Sequence, residues 1–272
     1  MLHDVNGAEV RVIGLSRSGN HAILNWIYAQ APGRACLLNC VEGRLNPFAT
    51  ARPMEDGLPY RVNYPGFDPD AERAGRFSVK DWLIFSHEDA YLGNASSPEF
   101  ERGHDALVGP SGRRVDVLVL RDPYNLFASR LRWGQCVISP GIAAQMWKQH
   151  AREYLGETRR LRHEPVLISY NRWVRDRDYR RRLARRLGLT FTDAGVREVA
   201  GCNGGSSFDG MRYQGRAHRM KVFERWRAYI DEPGFRRPFN EEVTELAREA
   251  FGPMPEPEQA LGLGLAVSPA NS

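Results

Sequence analysis

Residues 11–26 read Arg-Val-Ile-Gly-Leu-Ser-Arg-Ser-Gly-Asn-His-Ala-Ile-Leu-Asn-Trp. An apolar run leads into a tight turn rich in serine and glycine, and a helix-forming stretch follows. A strand, turn and helix in that order aim backbone N–H groups and a helix N-terminus at one point, which makes an anion site. The spacing Gly14 to Gly19 is that of the start of a P-loop. Asn20 and His21, however, stand where a nucleotide triphosphatase needs Lys and then Ser or Thr to hold phosphates and magnesium. The loop is therefore expected to hold phosphate without the metal-binding hydroxyl. Arg17, inside the turn, supplies the cation.

A second constellation lies at Leu120-Arg121-Asp122-Pro123, followed by Tyr124-Asn125-Leu126-Phe127-Ala128-Ser129-Arg130. Pro123 suits the first position of a helix and Asp122 its N-cap. Arg121 then sits at the C-terminal edge of a sheet, where open α/β folds bind ligands. Ser129 follows within about two helical turns. Arg121 with Ser129 is suited to clamp one phosphate, the guanidinium supplying forked donors.

Two anion motifs together predict a ligand with two separated phosphate groups. Here the sequence resembles the sulfotransferases that use 3′-phosphoadenosine 5′-phosphosulfate (PAPS). That family's first loop reads roughly Pro-Lys-Ser-Gly-Thr-Thr and holds the 5′-phosphosulfate; Ser16-Arg17-Ser18-Gly19-Asn20-His21 occupies it here. Its second motif, roughly Arg-Asn-Pro-x-Asp-x-x-x-Ser, holds the 3′-phosphate and is matched closely by Arg121 to Ser129. The resemblance spans about residues 10–230. It departs at Arg17, which replaces a lysine and keeps the charge but stays protonated. It departs also at Asn20 and His21, which replace a pair of hydroxyl residues.

The resemblance implies a metal-independent transferase that moves a sulfuryl group from PAPS to a hydroxyl or amine, leaving adenosine 3′,5′-bisphosphate. Arg17, Ser18, Gly19, Asn20 and His21 would hold the 5′-phosphosulfate, with Arg17 also stabilising the leaving charge. Arg121 and Ser129 would hold the 3′-phosphate. A histidine follows the third strand in cytosolic members, which makes His87 the expected base, its ordinary pKa near 6.5 suiting proton transfer. Glu88 is the runner-up, because other branches use a glutamate. Leu167-Ile168-Ser169-Tyr170-Asn171 is similar to a segment ending Tyr-Glu-Asp, which puts Tyr170 against the adenine. A late basic loop over the 3′-phosphate is sought within Ser206–Lys221, with Ser206, Ser207 and Arg216 as its ligand-binding candidates.

The elements that must position these residues are legible as short apolar runs: Val10–Leu15, Ala35–Asn39, Trp82–Ser86, Val115–Leu120 and Val166–Ser169. Helices are expected at Asn20–Gln30, Tyr124–Trp133, Ile142–Arg162, Arg172–Leu187, His218–Tyr229 and Asn240–Phe251. Their alternation predicts an α/β fold with a P-loop-like central parallel sheet covered by helices on both faces. A single domain over residues 1–252 is expected, with a loosely ordered tail over 253–272. Glu42–Phe77, rich in Pro, Gly, Arg and Asp, reads as an insertion of loops or short helices on the acceptor side. Lys80, at the entrance of the third strand, reads as a solvated residue. The arginines of Arg172–Arg186 read as the wet face of a helix whose buried stripe is Tyr179, Leu183 and Leu187.

The chain has 272 residues and a net charge of +5, with Lys80, Lys148 and Lys221 its three lysines. A basic chain suits an anionic ligand. No zinc finger, RNA-recognition signature or basic zipper supports nucleic acid as the partner. No apolar run is long enough to cross a bilayer, and residues 1–9 carry no signal-peptide pattern, so a cytoplasmic location is expected. Cys36, Cys40, Cys136 and Cys202 lack the spacing of a zinc site and read as reduced. Sugars, lipids and other small molecules are all eligible acceptors. Two other readings compete: a P-loop small-molecule kinase or other phosphotransferase, against which the missing Lys-Ser/Thr counts, and a non-catalytic nucleotide-binding protein.

Overall fold

Strand β1 (Asn6–Gly14) is buried at every position but Gly7, so both of its faces must be covered. Val10 and Val12 pack on one side with Ile23 and Ile27 of the helix Asn20–Tyr28. Ile13 points the other way, to Leu118, Leu92 and Ala95. This two-sided burial is what the continuous apolar runs of the sequence encode. The computed structural model describes residues 4–54, 56–95 and 97–263.

Among those residues, β1 is joined by β2 (Ala35–Leu38), β3 (Tyr60–Val62), β4 (Lys80–Glu88), β5 (Ser111–Leu120) and β6 (Glu164–Ser169). Their order is β3-β2-β4-β1-β5-β6. β1 pairs in parallel with β4 and β5, β2 with β4, and β6 with β5, whereas β3 runs antiparallel along β2. The expected parallel sheet is thus capped by one antiparallel edge strand. The helices Asn20–Tyr28, Tyr170–Arg175 and Arg177–Leu187 share a core with one face, and Pro98–Val108 contributes Phe100 and Val108 to the other. The helices Pro123–Trp133, Pro140–Leu155 and Glu241–Phe251 form a further apolar cluster around Trp147, Tyr124 and Phe235.

Arg11 lies in the middle of β1, where an unpaired charge would carry a heavy desolvation cost. Asp116 on β5 meets it at 2.8 Å, Glu101 at 3.0 Å and the Ala95 carbonyl at 2.9 Å. Lys80 is also buried rather than solvated. Its Nζ donates to Glu72 Oε2 at 2.9 Å and to the Ser78 carbonyl at 2.8 Å, between the Phe48 and Phe77 rings. That pair anchors the 42–77 segment, which holds β3, the short helices Pro47–Thr50 and Pro69–Arg73, and an aromatic cluster of Phe48, Phe67, Phe77, Tyr60 and Tyr64. It is a folded layer on the sheet edge, with short helices among its loops and one added strand.

Three expected helices differ most from what the sequence suggests. The 172–187 helix is broken at Asp176, whose side chain accepts from Tyr179 N and so starts a second helix. The helix expected over Ile142–Arg162 stops at Leu155, where Gly156 takes a left-handed cap. His218–Tyr229 forms two short 3-10 turns instead of an α-helix. In the tail, Pro255–Ala260 is helical, Leu261 is buried and Glu258 pairs with Arg248 at 2.9 Å. The remainder of the expected loose tail, 264–272, lies outside the described residues.

Candidate active site

β1 ends at Gly14, and the chain turns through Leu15–Gly19 into the helix at Asn20. Ser18 N donates to the Leu15 carbonyl at 3.0 Å to close the turn. Gly19 has φ 93 and lies directly under Tyr170; a Cβ there would stand 2.2 Å from the ring. Glycine is required both by that φ and by that contact. No side chain caps the helix that begins at Asn20, and no acidic residue sits in its first turn. By contrast Ser97, Asp122, Ser139, Asp176 and Asn240 cap their helices with side chains. The first amides of the Asn20 helix thus remain available to an anion.

They face a cavity of about 390 Å³ whose wall includes Arg17, Gly19, Asn20, His21, Glu88, Arg121 and Tyr170. Arg17 Nη2 donates to the Gly205 carbonyl at 3.1 Å, and its guanidinium lies 5.4 Å from the Trp133 ring centre. Arg121 Nη1 donates to the Arg17 carbonyl at 2.9 Å and to Ser129 Oγ at 3.2 Å, while Nη2 donates to the Val222 carbonyl at 2.8 Å. Asp122 caps the following helix, accepting from Asn125 N at 2.8 Å, with Pro123 at its first position. That start is what sets Arg121 and Ser129 side by side. The two anion motifs therefore meet at one cavity.

Arg225 was not distinguished in the sequence and completes the cluster. It is buried, donating through Nη1 to Ser129 Oγ at 3.0 Å and through Nη2 to Ser206 Oγ at 2.8 Å. Asp209 lies 3.6 Å away. Among the described residues, the hydrogen-bond partners of Arg17 and Arg121 are carbonyls and a hydroxyl, with no carboxylate. Burial, and after it the field of Arg121, pushes Arg225 down to about 9. Burial also lowers Arg17 and Arg121. Buried polar atoms near these cations lack a partner: Ser18 Oγ, Ser207 Oγ and Arg225 Nε. Cations held together with unsatisfied donors around them are an arrangement suited to a multiply charged anion. Arg216, the residue expected in this role, is exposed and is not on the cavity wall.

The strand end separates two candidate bases. β4 continues through Glu88, two residues past the expected end, so neighbouring His87 and Glu88 point to opposite faces. Glu88 lines the cavity and accepts from Asn20 Nδ2 at 3.0 Å. Asn20 Nδ2 also donates to the Leu15 carbonyl at 3.0 Å, which ties the loop to the carboxylate. His87 is absent from the cavity wall. It is buried, with Nδ1 3.0 Å from the Val41 carbonyl and its ring edge-on to Phe85. Burial, with Arg11 adding to it, drives its pKa down to about 3. A histidine so placed is a weak base facing a closed interior, and the geometry does not support the expected role.

His21 lies on the cavity wall with Nε2 2.9 Å from Asn39 Oδ1. Although burial opposes its charge, Glu88 and hydrogen bonds to Cys202 and Asn39 raise its pKa to about 9. Its surroundings thus favour the charged form. Tyr170 stacks on Trp173 and lies 5.2 Å from the Arg121 guanidinium, so it floors the cavity between loop and clamp. No cluster of three or more metal-ligating side chains occurs among the described residues. No helix of the described structure is long and apolar enough to cross a membrane.

Neither a family model nor a curated protein matches this chain. Solved structures do. The sulfotransferase domain of the Synechococcus PCC 7002 olefin synthase superposes with a TM-score of 0.50 at 15% identity, over 90% of this chain and 95% of that domain. The sulfotransferase domain of the curacin biosynthetic pathway gives 0.48 at 16% identity, over 88% and 96%. Mouse sulfotransferase SULT7A1, complexed with PAP, gives 0.45 at 11% identity, over 96% and 90%. The chain has the P-loop-like α/β fold of sulfotransferases.

Proposed function

We propose that this protein transfers a sulfuryl group from PAPS to a hydroxyl or amine of a small-molecule, carbohydrate or lipid acceptor. The observation that carries the reading is the convergence of Arg121 and Arg225 on Ser129 Oγ, with Arg17 of the first anion motif in the same cation cluster. A nucleotide with phosphates on both 3′ and 5′ positions matches such a pair of subsites; a nucleoside triphosphate carries its charge in one chain and needs a metal-binding hydroxyl that Asn20 and His21 do not provide.

Arg121 and Arg225 hold the 3′-phosphate, with Ser129 Oγ accepting from both and so setting the two guanidiniums side by side. The amides of the Asn20 helix, Ser18 and His21 hold the 5′-phosphate, and Arg17 stabilises the negative charge that grows on the oxygen as the sulfur–oxygen bond breaks. Glu88 takes the acceptor proton as the new bond to sulfur forms. Its position beside Asn20 favours it over His87. We infer that the acceptor comes from the side of residues 39–42, which adjoin the cavity through Asn39 Oδ1, 2.9 Å from His21 Nε2. That strip leads into the 42–77 layer.

The test is transfer of radiolabelled sulfate from PAPS to a panel of phenols, alkyl alcohols, amines and sugars, run in chelator. Labelled product with any acceptor supports the reading. Absence of product across the panel, in protein that binds the bisphosphate, points to a nucleotide-binding protein instead.

A further inference from the structure

Among the non-glycine residues with left-handed backbone are Arg17, at φ 73 on the cavity wall, and Asp89, at φ 51 next to Glu88. Such conformations persist where surrounding bonds impose them. One closed ring of hydrogen bonds joins both. Ser16 N donates to Asp89 Oδ1 at 2.9 Å, and Arg130 Nη1 donates to the same oxygen at 2.6 Å and to the Ser16 carbonyl at 3.0 Å. Arg130 Nη2 adds a bond to Asp89 Oδ2 at 3.2 Å. Both side chains are largely buried, at 6% and 14% exposure. Neither is on the cavity wall.

The ring spans three elements that the site requires. Ser16 belongs to the phosphate loop, and its carbonyl opens the peptide that enters Arg17. Asp89 follows Glu88, and its N–H donates to the Gly14 carbonyl at 3.2 Å. Arg130 follows Ser129 on the helix Pro123–Trp133. We propose that Arg130 and Asp89 are positioning residues: they hold the Ser16–Arg17 peptide in its left-handed turn and fix the separation of the two phosphate subsites. The proposal rests on the two-phosphate reading above. A ligand with one phosphate uses one subsite and does not sense their separation. A ligand with two gains from both only when the spacing is right.

The experiment is calorimetric titration of wild type, Asp89→Asn and Arg130→Lys with adenosine 3′-phosphate, adenosine 5′-phosphate and adenosine 3′,5′-bisphosphate. Asparagine tolerates the left-handed backbone and keeps an acceptor for Ser16 N while removing the charge. Lysine keeps the charge and loses the fork. Both variants are expected to weaken the bisphosphate by about 10²-fold and to move the 3′-phosphate by less than about twofold. The 5′-phosphate should weaken along with the loop that holds it. Equal losses for all three ligands would mean general damage to the fold and would overturn the proposal, as would no loss at all. A wild type that binds the bisphosphate no more tightly than the 3′-phosphate would overturn the two-phosphate reading itself, and the positioning role with it.

Discussion

Arg121 and Arg225 donate to the same hydroxyl, Ser129 Oγ, at 3.2 and 3.0 Å. Ser129 is able to accept both because its own proton goes to the Asn125 carbonyl at 2.7 Å. Two guanidiniums so close repel one another when the site holds no anion, and attract strongly any anion that reaches between them.

Arg225→Met should therefore do two opposite things. Without ligand the melting temperature should stay the same or rise, since a buried like-charge contact is removed. The rise in melting temperature caused by adenosine 3′,5′-bisphosphate should largely vanish, with a loss of about 2–5 kcal/mol in binding. Thermal denaturation with and without the bisphosphate reads both. A variant that melts lower in the absence of ligand and keeps its full ligand response would make Arg225 a structural residue.

Glu88→Gln, which keeps an acceptor for Asn20 Nδ2, should lower turnover by about 10²–10⁴-fold, far more than it weakens the bisphosphate. His87→Gln should keep turnover within about tenfold of wild type, because the ring is closed off from the cavity. Steady-state rates with a fixed acceptor separate the two. The reverse order of effects would restore His87 as the base.

The same histidine makes a pH prediction. Its folded-state pKa, about 3, is depressed below the unfolded value near 6.5, so the native state binds fewer protons than the unfolded state between those limits. Stability is then lost as pH falls from 6.5 toward 3. At pH 5 the loss from this one group is about 2 kcal/mol, from 1.5 units at 1.36 kcal/mol each. Urea denaturation at pH 7 and pH 5 should show His87→Gln losing less stability on acidification than wild type by about that amount. Parallel curves for the two proteins would contradict the burial.

Much of the site was legible because its chemistry is coded locally. Arg121, Asp122, Pro123 and Ser129 sit at the fixed spacing of a strand end, a cap and about two helical turns, and the Gly14–Gly19 turn is similarly compact. Arg225 had no such code. It reaches Ser129 from 96 residues away, through a 3-10 turn whose first N–H, Arg225 N, goes to Asn125 Oδ1 at 2.9 Å instead of to a helix carbonyl. The one available signal was a basic residue beside Trp226 after a glycine-rich stretch. The choice between His87 and Glu88 depended on which face each takes, and an expected strand end at Ser86 left both without a face. β3 was missed because Tyr60–Val62 is three residues long, too short for its alternation to stand out in a Pro- and Gly-rich segment; pairing with Cys36–Leu38 makes it a strand.

Gly19→Ala should be damaging in two ways at once. The added methyl meets the Tyr170 ring at 2.2 Å, and φ 93 is a conformation that alanine resists. A loss of roughly 1–3 kcal/mol of stability is expected, together with loss of bisphosphate binding. Adding Tyr170→Ala should relieve the clash but not the backbone strain, so denaturant titration should show partial recovery only. Full recovery would mean that φ carries no cost at this turn.

The central claim is a metal-free site for a nucleotide with two separate phosphates. It is met most directly by calorimetric titration of the purified protein with adenosine 3′,5′-bisphosphate in chelator, with ATP as the control. The account predicts tight binding of the bisphosphate and weak binding of ATP. No binding of the bisphosphate, or ATP binding that appears only when magnesium is restored, would contradict it.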